Sequence, residues 1–374
     1  MPVNAVGLHH DSERVILDWA DGHRSEFHAL WLFDNRPEHR HPRNGQRLVD
    51  VSDLPADVVI MRARLGPDAL EIEWADGTAS TIALQWLREN CCCSGHGRRQ
   101  PVRLWDASEE EVLRRVPYRR VVEDASVRLA WLRSIAESGL GFLSGVPASS
   151  GTVLEVARLL GWVRETNYGR VFEVRWIPDP ANLADSALAL GLHTDNPYRE
   201  PVPGLQLLHC LRAGPVGGDS VFADGFSVVE ALRESDRDAV TVLETTPVRF
   251  RYSDTTCYLE AERPIIEAAG DGRVQAVNYN NRSIAPVLLP VDRIPTFYAA
   301  YRAFARLLKD TRLTITTRLA EGDLVVFNNR RVLHGRTGFE PTAERRLEGC
   351  YLDCDGLFSN VAVMERLVEG SGQH

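Results

Sequence analysis
The sequence predicts a mainly β fold, a sandwich or jelly roll with flanking helices, preceded by a small β-rich N-terminal domain. Two features support this. The first hundred residues repeat at a fixed offset, and the second half is a succession of short strand-like runs separated by turn residues. In the repeat, Trp19-Ala20-Asp21-Gly22 recurs as Trp74-Ala75-Asp76-Gly77, and WLFDN (31–35) recurs as WLREN (86–90), each position displaced by 55 residues. Ahead of each Asp-Gly the chain alternates, with Val15, Leu17 and Trp19 in one copy and Leu70, Ile72 and Trp74 in the other. Alternation running into Asp-Gly marks a hairpin, because these residues tolerate the positive φ angles of a tight turn. Two copies are too few for a solenoid, so the expectation is a pseudo-symmetric pair forming one domain over residues 1–100.

The polar stretch GHGRRQPVRLWDAS interrupts that pattern, and a second domain is expected over 101–374. ASVRLAWLRSIAESG reads as a helix closed by Gly139, LGFLSGVP as a buried strand, and TVLEVARLLG as a second helix. Beyond residue 200, GLQLLHCL, DSVFAD, PVRFRYSD, RVQAVNYN, RLTITTRL, DLVVFNN and RRLEGCYLD read as strands, with helices near 226–234 and 295–309. Many short strands with few helices indicate the sandwich or jelly roll.

A composition of 44% hydrophobic and 25% charged residues is that of an ordinary globular protein with a sizeable core. A net charge of −9 argues against nucleic acid as a partner, which requires a basic face. No apolar run approaches the ~18 residues of a membrane span, and MPVNAVGLHHDSERV lacks a signal-peptide core. The seven cysteines are odd in number and three are adjacent, a poor disulfide framework, so a reducing cytoplasm is expected.

Within GLHTDNPYRE, His193 and Asp195 form a His-x-Asp triplet, which alone is weak support for a metal. In EGDLVVFNNRRVLHGRTG, His334 follows a short apolar run and supplies a third ligand type. A histidine beside a turn is by itself more often a packed core residue. Together, two imidazoles and one carboxylate on one face of a metal leave three positions open, which suits Fe(II) holding a bidentate keto-acid and then oxygen. Arg345 follows His334 by eleven residues, so a returning strand would bring its guanidinium into the same barrel. There it can take a carboxylate in bidentate fashion, with Ser220 of GGDSVFADG as a hydroxyl donor.

These motifs, HTDNP, PGLQLLHCL, GGDSVFADGF, NYNNRS, FYAAYRAF, GDLVVFNNRRVLHGR and RRLEGCYLD, give the chain its resemblance to the Fe(II)/2-oxoglutarate dioxygenases. It is similar in particular to the γ-butyrobetaine hydroxylase branch, whose small N-terminal domain also carries WLRDN-type units, and the likeness covers essentially the whole chain. The resemblance implies a double-stranded β-helix core, Fe(II), 2-oxoglutarate and O2 as co-substrates, and a homodimer. In that chemistry, decarboxylation of 2-oxoglutarate to succinate drives hydroxylation of an unactivated C–H bond. Leu208 joins Arg345 and Ser220 as an expected 2-oxoglutarate contact.

Members of the branch act on small trimethylammonium zwitterions. Such a cation donates no hydrogen bond and is held over aromatic faces. The cage positions correspond to Tyr168, Phe172 and Tyr351, with Asp185 at a fourth. Phe172 stands where a tryptophan is usual and Asp185 where a tyrosine is usual. A smaller ring weakens the cation–π attraction, whereas a carboxylate facing the pocket would attract the cation directly. A loop-capping Asp185 turned to water is the bland alternative. Asn182 and Asn280 match positions that bind the substrate's carboxylate, and Arg170 has no counterpart. An extra arginine is usually surface decoration, but one facing the pocket would answer a more highly charged anion. The favoured substrate is therefore 2-(trimethylamino)ethylphosphonate, with γ-butyrobetaine, converted to carnitine, as the alternative.

The resemblance also implies a structural zinc held by a Cys-x-Cys-x-x-Cys run after the first repeat unit and a histidine from the second. Here the first run reads RPEHRHP, without cysteine, and Thr78 stands in the histidine's place. After the second copy the chain reads CCCSGH, and the 55-residue offset maps Thr78 onto His23. The mirrored set, Cys91, Cys93, His96 and His23, is a plausible Cys2His2 zinc site, with Cys92 turned away. Free thiols on a metal-less domain are the alternative. Two other readings of the whole chain are a cupin-like isomerase or simple oxygenase, which needs no keto-acid clamp, and a non-enzymatic small-molecule binder, against which the full set of ligand types argues.

Overall fold
The computed structural model describes residues 4–92, 101–178, 186–214, 216–340 and 345–371. The chain divides into two compact units, Met1–Gln100 and Pro101–His374.

In the first unit the repeat is a structural one. Strands Ala5–His10, Arg14–Trp19 and Arg24–His28 form an antiparallel sheet followed by helix Ala29–Asp34. Strands Ile60–Leu65, Ala69–Trp74 and Ala79–Ala83 repeat the arrangement before helix Leu84–Glu89. Each Asp-Gly turn places its glycine at positive φ, 82° at Gly22 and 83° at Gly77. The alternating residues all point inward into one shared core. Even a buried polar contact recurs, since Trp19 donates to Ser25 Oγ at 2.8 Å and Trp74 to Ser80 Oγ at 2.9 Å.

The second unit is a jelly roll of two facing sheets. The larger runs in the order Phe172–Arg175, Arg346–Leu352, Leu205–Arg212, Leu324–Asn328, Leu140–Ser144, Arg115–Pro117. The smaller runs Leu190–His193, Val332–Arg336, Ser220–Asp224, Thr314–Thr317. Strand periodicity divides the larger sheet's side chains cleanly. Leu205, Leu207, Leu324, Val326, Cys350 and Leu352 face outward, under helices Ala125–Ser138 and Thr152–Leu160. Cys210, Val325, Phe327 and Leu347 face inward with Phe222 of the smaller sheet. Helix Ala125–Ser138 is capped by Asp124 at its start and by Gly139, at φ 76°, at its end.

Residues 225–313 form an insert between two strands of the smaller sheet, with its own core around Phe250, Phe297 and Phe304. Helices are more numerous than a strand-dominated reading anticipates: Arg237–Thr245 and Cys354–Ser371 are both helical. The former buries Ala239, Val240 and Leu243 behind an Asp236 cap, a stripe too short to stand out from its surroundings. A buried ion pair anchors the insert. Arg331 grips Asp224 through Nε at 2.9 Å and a terminal nitrogen at 2.7 Å, while Asp224 caps the insert's first helix at Phe226 N. Among the described residues no helix is long and apolar enough to cross a membrane.

Candidate metal centre and substrate pocket
His193 ends the first strand of the smaller sheet and stands directly opposite His334 in the antiparallel pairing. The register slips between Leu190 and His193, where three residues on one strand span two on its partner. This bulge re-aims His193 without breaking the sheet. Gly335 makes room for it: a Cβ there would lie 2.6 Å from Leu190 O and 3.2 Å from Leu192 N. The two imidazole rings consequently sit 4.2 Å apart.

Asp195 is turned toward them by Asn196, which adopts a left-handed φ of 55°. The buried Asn329 clamps the Asp195 backbone from both sides. Its Oδ1 accepts from Asp195 N at 2.6 Å and its Nδ2 donates to Asp195 O at 2.9 Å. From the insert, Asn280 Nδ2 donates to Thr194 O at 3.2 Å, which fixes the residue between the two ligands. One atom from each of His193, Asp195 and His334 lies within 4.8 Å of the others.

The protonation states suit a cation. His193 Nδ1 lies 2.9 Å from Gly191 O, and a carbonyl only accepts, so Nδ1 carries the proton and Nε2 faces Asp195 Oδ1 at 3.3 Å. Burial, reinforced by the neighbouring His193, pushes His334 down to about 3, leaving a neutral ring near neutral pH. Burial works against ionisation of Asp195, but its hydrogen bond with His193, attraction to both imidazoles and the Tyr351 hydroxyl outweigh it and lower its pKa. Lone pairs on two imidazoles and one carboxylate therefore converge on one point, and that donor set fits a divalent transition metal with open positions.

Strand Arg346–Leu352 lays out the rest of the cleft. Its inward row begins just before the strand at Arg345 and continues through Leu347 and Gly349 to Tyr351. Arg345 lies in a small cavity with Cys210, Gly217, Gly218 and Leu347, its guanidinium 5.7 Å over the Phe339 ring. Burial lowers its pKa, an effect that Cys210 and Asp219 oppose. Gly218, at φ 73°, permits this approach, since a Cβ there would lie 3.0 Å from the Arg345 side chain. Ser220, two residues further, is buried on the inward face beside Arg336 and Thr317. Leu208 is half-buried in the same interior, opposite Gly349 and Val325.

At the other end, Tyr351 donates to Asp195 Oδ2 at 2.8 Å and its ring lies 4.9 Å from Phe172. Burial and the adjacent carboxylate raise the Tyr351 hydroxyl well above its usual range, so it remains a donor. Gly349 accommodates Phe172, whose ring would come within 2.4 Å of a Cβ there. Tyr168 belongs to a neighbouring cluster, its hydroxyl 3.3 Å from that of Tyr198 and its ring 6.0 Å from Tyr252. Arg170 is exposed, and Asn182 and Asp185 lie outside the described residues. In the first unit His23 Nε2 lies 3.4 Å from Cys91 Sγ and Cys92 is exposed, while Cys93 and His96 lie outside the described residues. Sequence reasoning did not find Asn329, Gly335 or Tyr198, because each acts through a contact with a distant segment.

A jelly roll carrying two histidines and a carboxylate on adjoining strands is the framework of a non-haem iron oxygenase. The chain belongs to the taurine catabolism dioxygenase TauD/TfdA family, which matches residues 99–351. It is 36% identical over 359 residues to the gamma-butyrobetaine dioxygenase of Pseudomonas sp. (strain AK-1), covering 94% of each chain. It is 30% identical over 370 residues to the gamma-butyrobetaine dioxygenase of Homo sapiens, again covering 94% of each. The solved structure of asparagine oxygenase with Fe(II), hydroxyasparagine and succinate shares the fold, with a TM-score of 0.50 and 20% identity over 62% of this chain and 80% of that one. The protein is an Fe(II)/2-oxoglutarate-dependent dioxygenase.

Replacing Gly335 with Ala is expected to push the 190–193 strand away and separate His193 from His334. Fe(II) affinity should fall by at least about tenfold, the loss that disturbed ligand orientation typically brings. Anaerobic titration with Fe(II) reads this directly, and unchanged affinity would refute the account of the bulge.

Proposed function
We propose that this enzyme hydroxylates an unactivated C–H bond of a small trimethylammonium zwitterion, with 2-(trimethylamino)ethylphosphonate favoured and γ-butyrobetaine the alternative. The observation that carries the substrate class is the Phe172–Tyr351 pair, whose rings lie 4.9 Å apart while Tyr351 also holds the carboxylate of Asp195. An aromatic face is thereby joined to the metal cluster, so a cation resting on it presents its neighbouring carbons to the centre. Relatives named gamma-butyrobetaine dioxygenase support the same class.

His193, Asp195 and His334 would hold the iron. Iron supplies oxygen activation coupled to oxidative decarboxylation of 2-oxoglutarate. The chain's own residues bind and orient. Arg345, half-buried on the interior row, receives the distal carboxylate of 2-oxoglutarate through a charged hydrogen bond, with Ser220 and Leu208 assigned to the same co-substrate. Tyr351 keeps Asp195 ionised and aimed. Tyr168, Phe172, Tyr351 and Asp185 are assigned to the cation, and Asn182 and Asn280 to the anion; Arg170, a candidate for the anion if it faced the pocket, is exposed, as an extra surface arginine usually is. The departures from the usual cage, Phe172 for a tryptophan and Asp185 for a tyrosine, support a substrate other than γ-butyrobetaine, and the phosphonate is the one favoured.

A panel of trimethylammonium carboxylates and phosphonates, read by 2-oxoglutarate-dependent gain of one oxygen atom, tests the proposal. The phosphonate should be turned over fastest; much faster turnover of γ-butyrobetaine would reverse the preference. Arg345→Ala should raise the KM for 2-oxoglutarate by ~10- to 100-fold, the worth of a charged hydrogen-bonded pair. An unchanged KM would point to an oxygenase that uses no keto-acid clamp.

The approach of His23 to Cys91 favours a second site, a structural zinc on Cys91, Cys93, His96 and His23. Elemental analysis after purification without chelators should find about one zinc per chain beyond the iron. Its absence would leave a metal-less domain with free thiols.

A further inference from the structure
Gln206 is only 2% exposed, yet its amide oxygen has no hydrogen-bond partner among the described residues. Its direction follows from the sheet. On strand Leu205–Arg212 the flanking Leu205 and Leu207 pack outward under the helices, so Gln206 shares the inward face with Leu208 and Cys210. In register it stands between Phe327 on one side and Tyr351 on the other. Both neighbours touch the metal cluster: the Phe327 ring lies 4.7 Å from His334, and the Tyr351 hydroxyl lies 2.8 Å from Asp195. Gln206 therefore faces the centre from the opposite sheet.

A buried acceptor without a donor is costly, and a donor is expected at some stage of the reaction cycle. The inward row offers none. Tyr351 gives its one hydroxyl proton to Asp195, Leu208, Gly349 and Phe327 have no polar hydrogens on their side chains, and Arg345 stands at the far end of the row. The bound reactants offer none either, since 2-oxoglutarate is fully ionised near neutral pH and a trimethylammonium nitrogen carries no hydrogen. The donors that remain are water, the unpartnered Nδ1 of His334 across the centre, and the hydroxyl group that the reaction creates; only the last distinguishes product from parent zwitterion. That hydroxyl forms on the carbon held at the metal cluster, the place Gln206 faces.

We propose that Gln206 recognises the hydroxylated product, its amide oxygen accepting a hydrogen bond from the new hydroxyl in place of water. It thus sets how strongly the site prefers product over the parent zwitterion. This rests on the reading that the substrate is a small trimethylammonium zwitterion.

The test measures binding rather than turnover. Fe(II)-loaded protein, kept anaerobic and without 2-oxoglutarate, is titrated by calorimetry with γ-butyrobetaine and with each enantiomer of carnitine. The same is done with 2-(trimethylamino)ethylphosphonate and its hydroxylated forms. Gln206→Met keeps the volume and removes the acceptor; it should fold with an undiminished Tm, because the wild-type oxygen makes no protein bond. In this variant the affinity of the hydroxylated compound relative to its parent should fall on the order of fivefold, the worth of one net hydrogen bond, with the parent's Kd unchanged. Gln206→Glu, which keeps acceptor oxygens, should retain the preference. An unchanged ratio, or a ratio altered through the parent's Kd, overturns the inference and leaves the substrate class standing. Failure of every compound to bind wild-type protein overturns the substrate class, and the inference with it.

Discussion
The antiparallel pairing of His193 with His334 is the constraint on which the site depends. Neither histidine is near the other in the chain, and a slip of one residue would send His334 to the opposite face of its strand. The pairing survives a bulge because Gly335 has no side chain to obstruct it. Asp195 is then brought to the pair by the left-handed Asn196 and held by Asn329, which takes both its backbone N–H and its C=O. The carboxylate is clamped through its main chain, so its side chain remains available to a metal and to Tyr351.

Given that centre, strand periodicity arranges everything around it. Arg345 and Tyr351 are separated by six residues, roughly 20 Å of extended chain, and every second side chain between them faces the interior. The same stretch therefore runs from a half-buried guanidinium just before the strand to an aromatic face bonded to Asp195 at its other end. Phe172 reaches that face because Gly349 leaves the space between. Small residues at Gly218, Gly335 and Gly349 each mark a point where a side chain or strand must approach a backbone closely.

The insert of residues 225–313 contributes through Asn280, which holds Thr194 between the two metal ligands. Its attachment is electrostatic. Arg331 and Asp224 are almost fully buried, and Arg331 also donates to the carbonyls of Glu137 and Arg103. A buried pair of this kind is costly to break, since removing one partner leaves the other charged and unsolvated, a loss of about 3–5 kcal/mol. It joins the start of the insert to the turn that leads into His334.

Much of the architecture was determined by the sequence alone, because it depends on local periodicity. The two Asp-Gly hairpins, the helix closed by Gly139 and the short strands of the jelly roll all follow from patterns within a few residues. The ligand types at His193, Asp195 and His334 were legible for the same reason, as metal-competent side chains beside short apolar runs. Tertiary structure alone decided how they meet. The bulge before His193, the clamp at Asn329, the inward face of Gln206 and the sharing of Tyr351 between Asp195 and Phe172 are all contacts between segments distant in sequence. Their geometry is set by register across strands, and register is a property of the closed sheet rather than of any one stretch of chain.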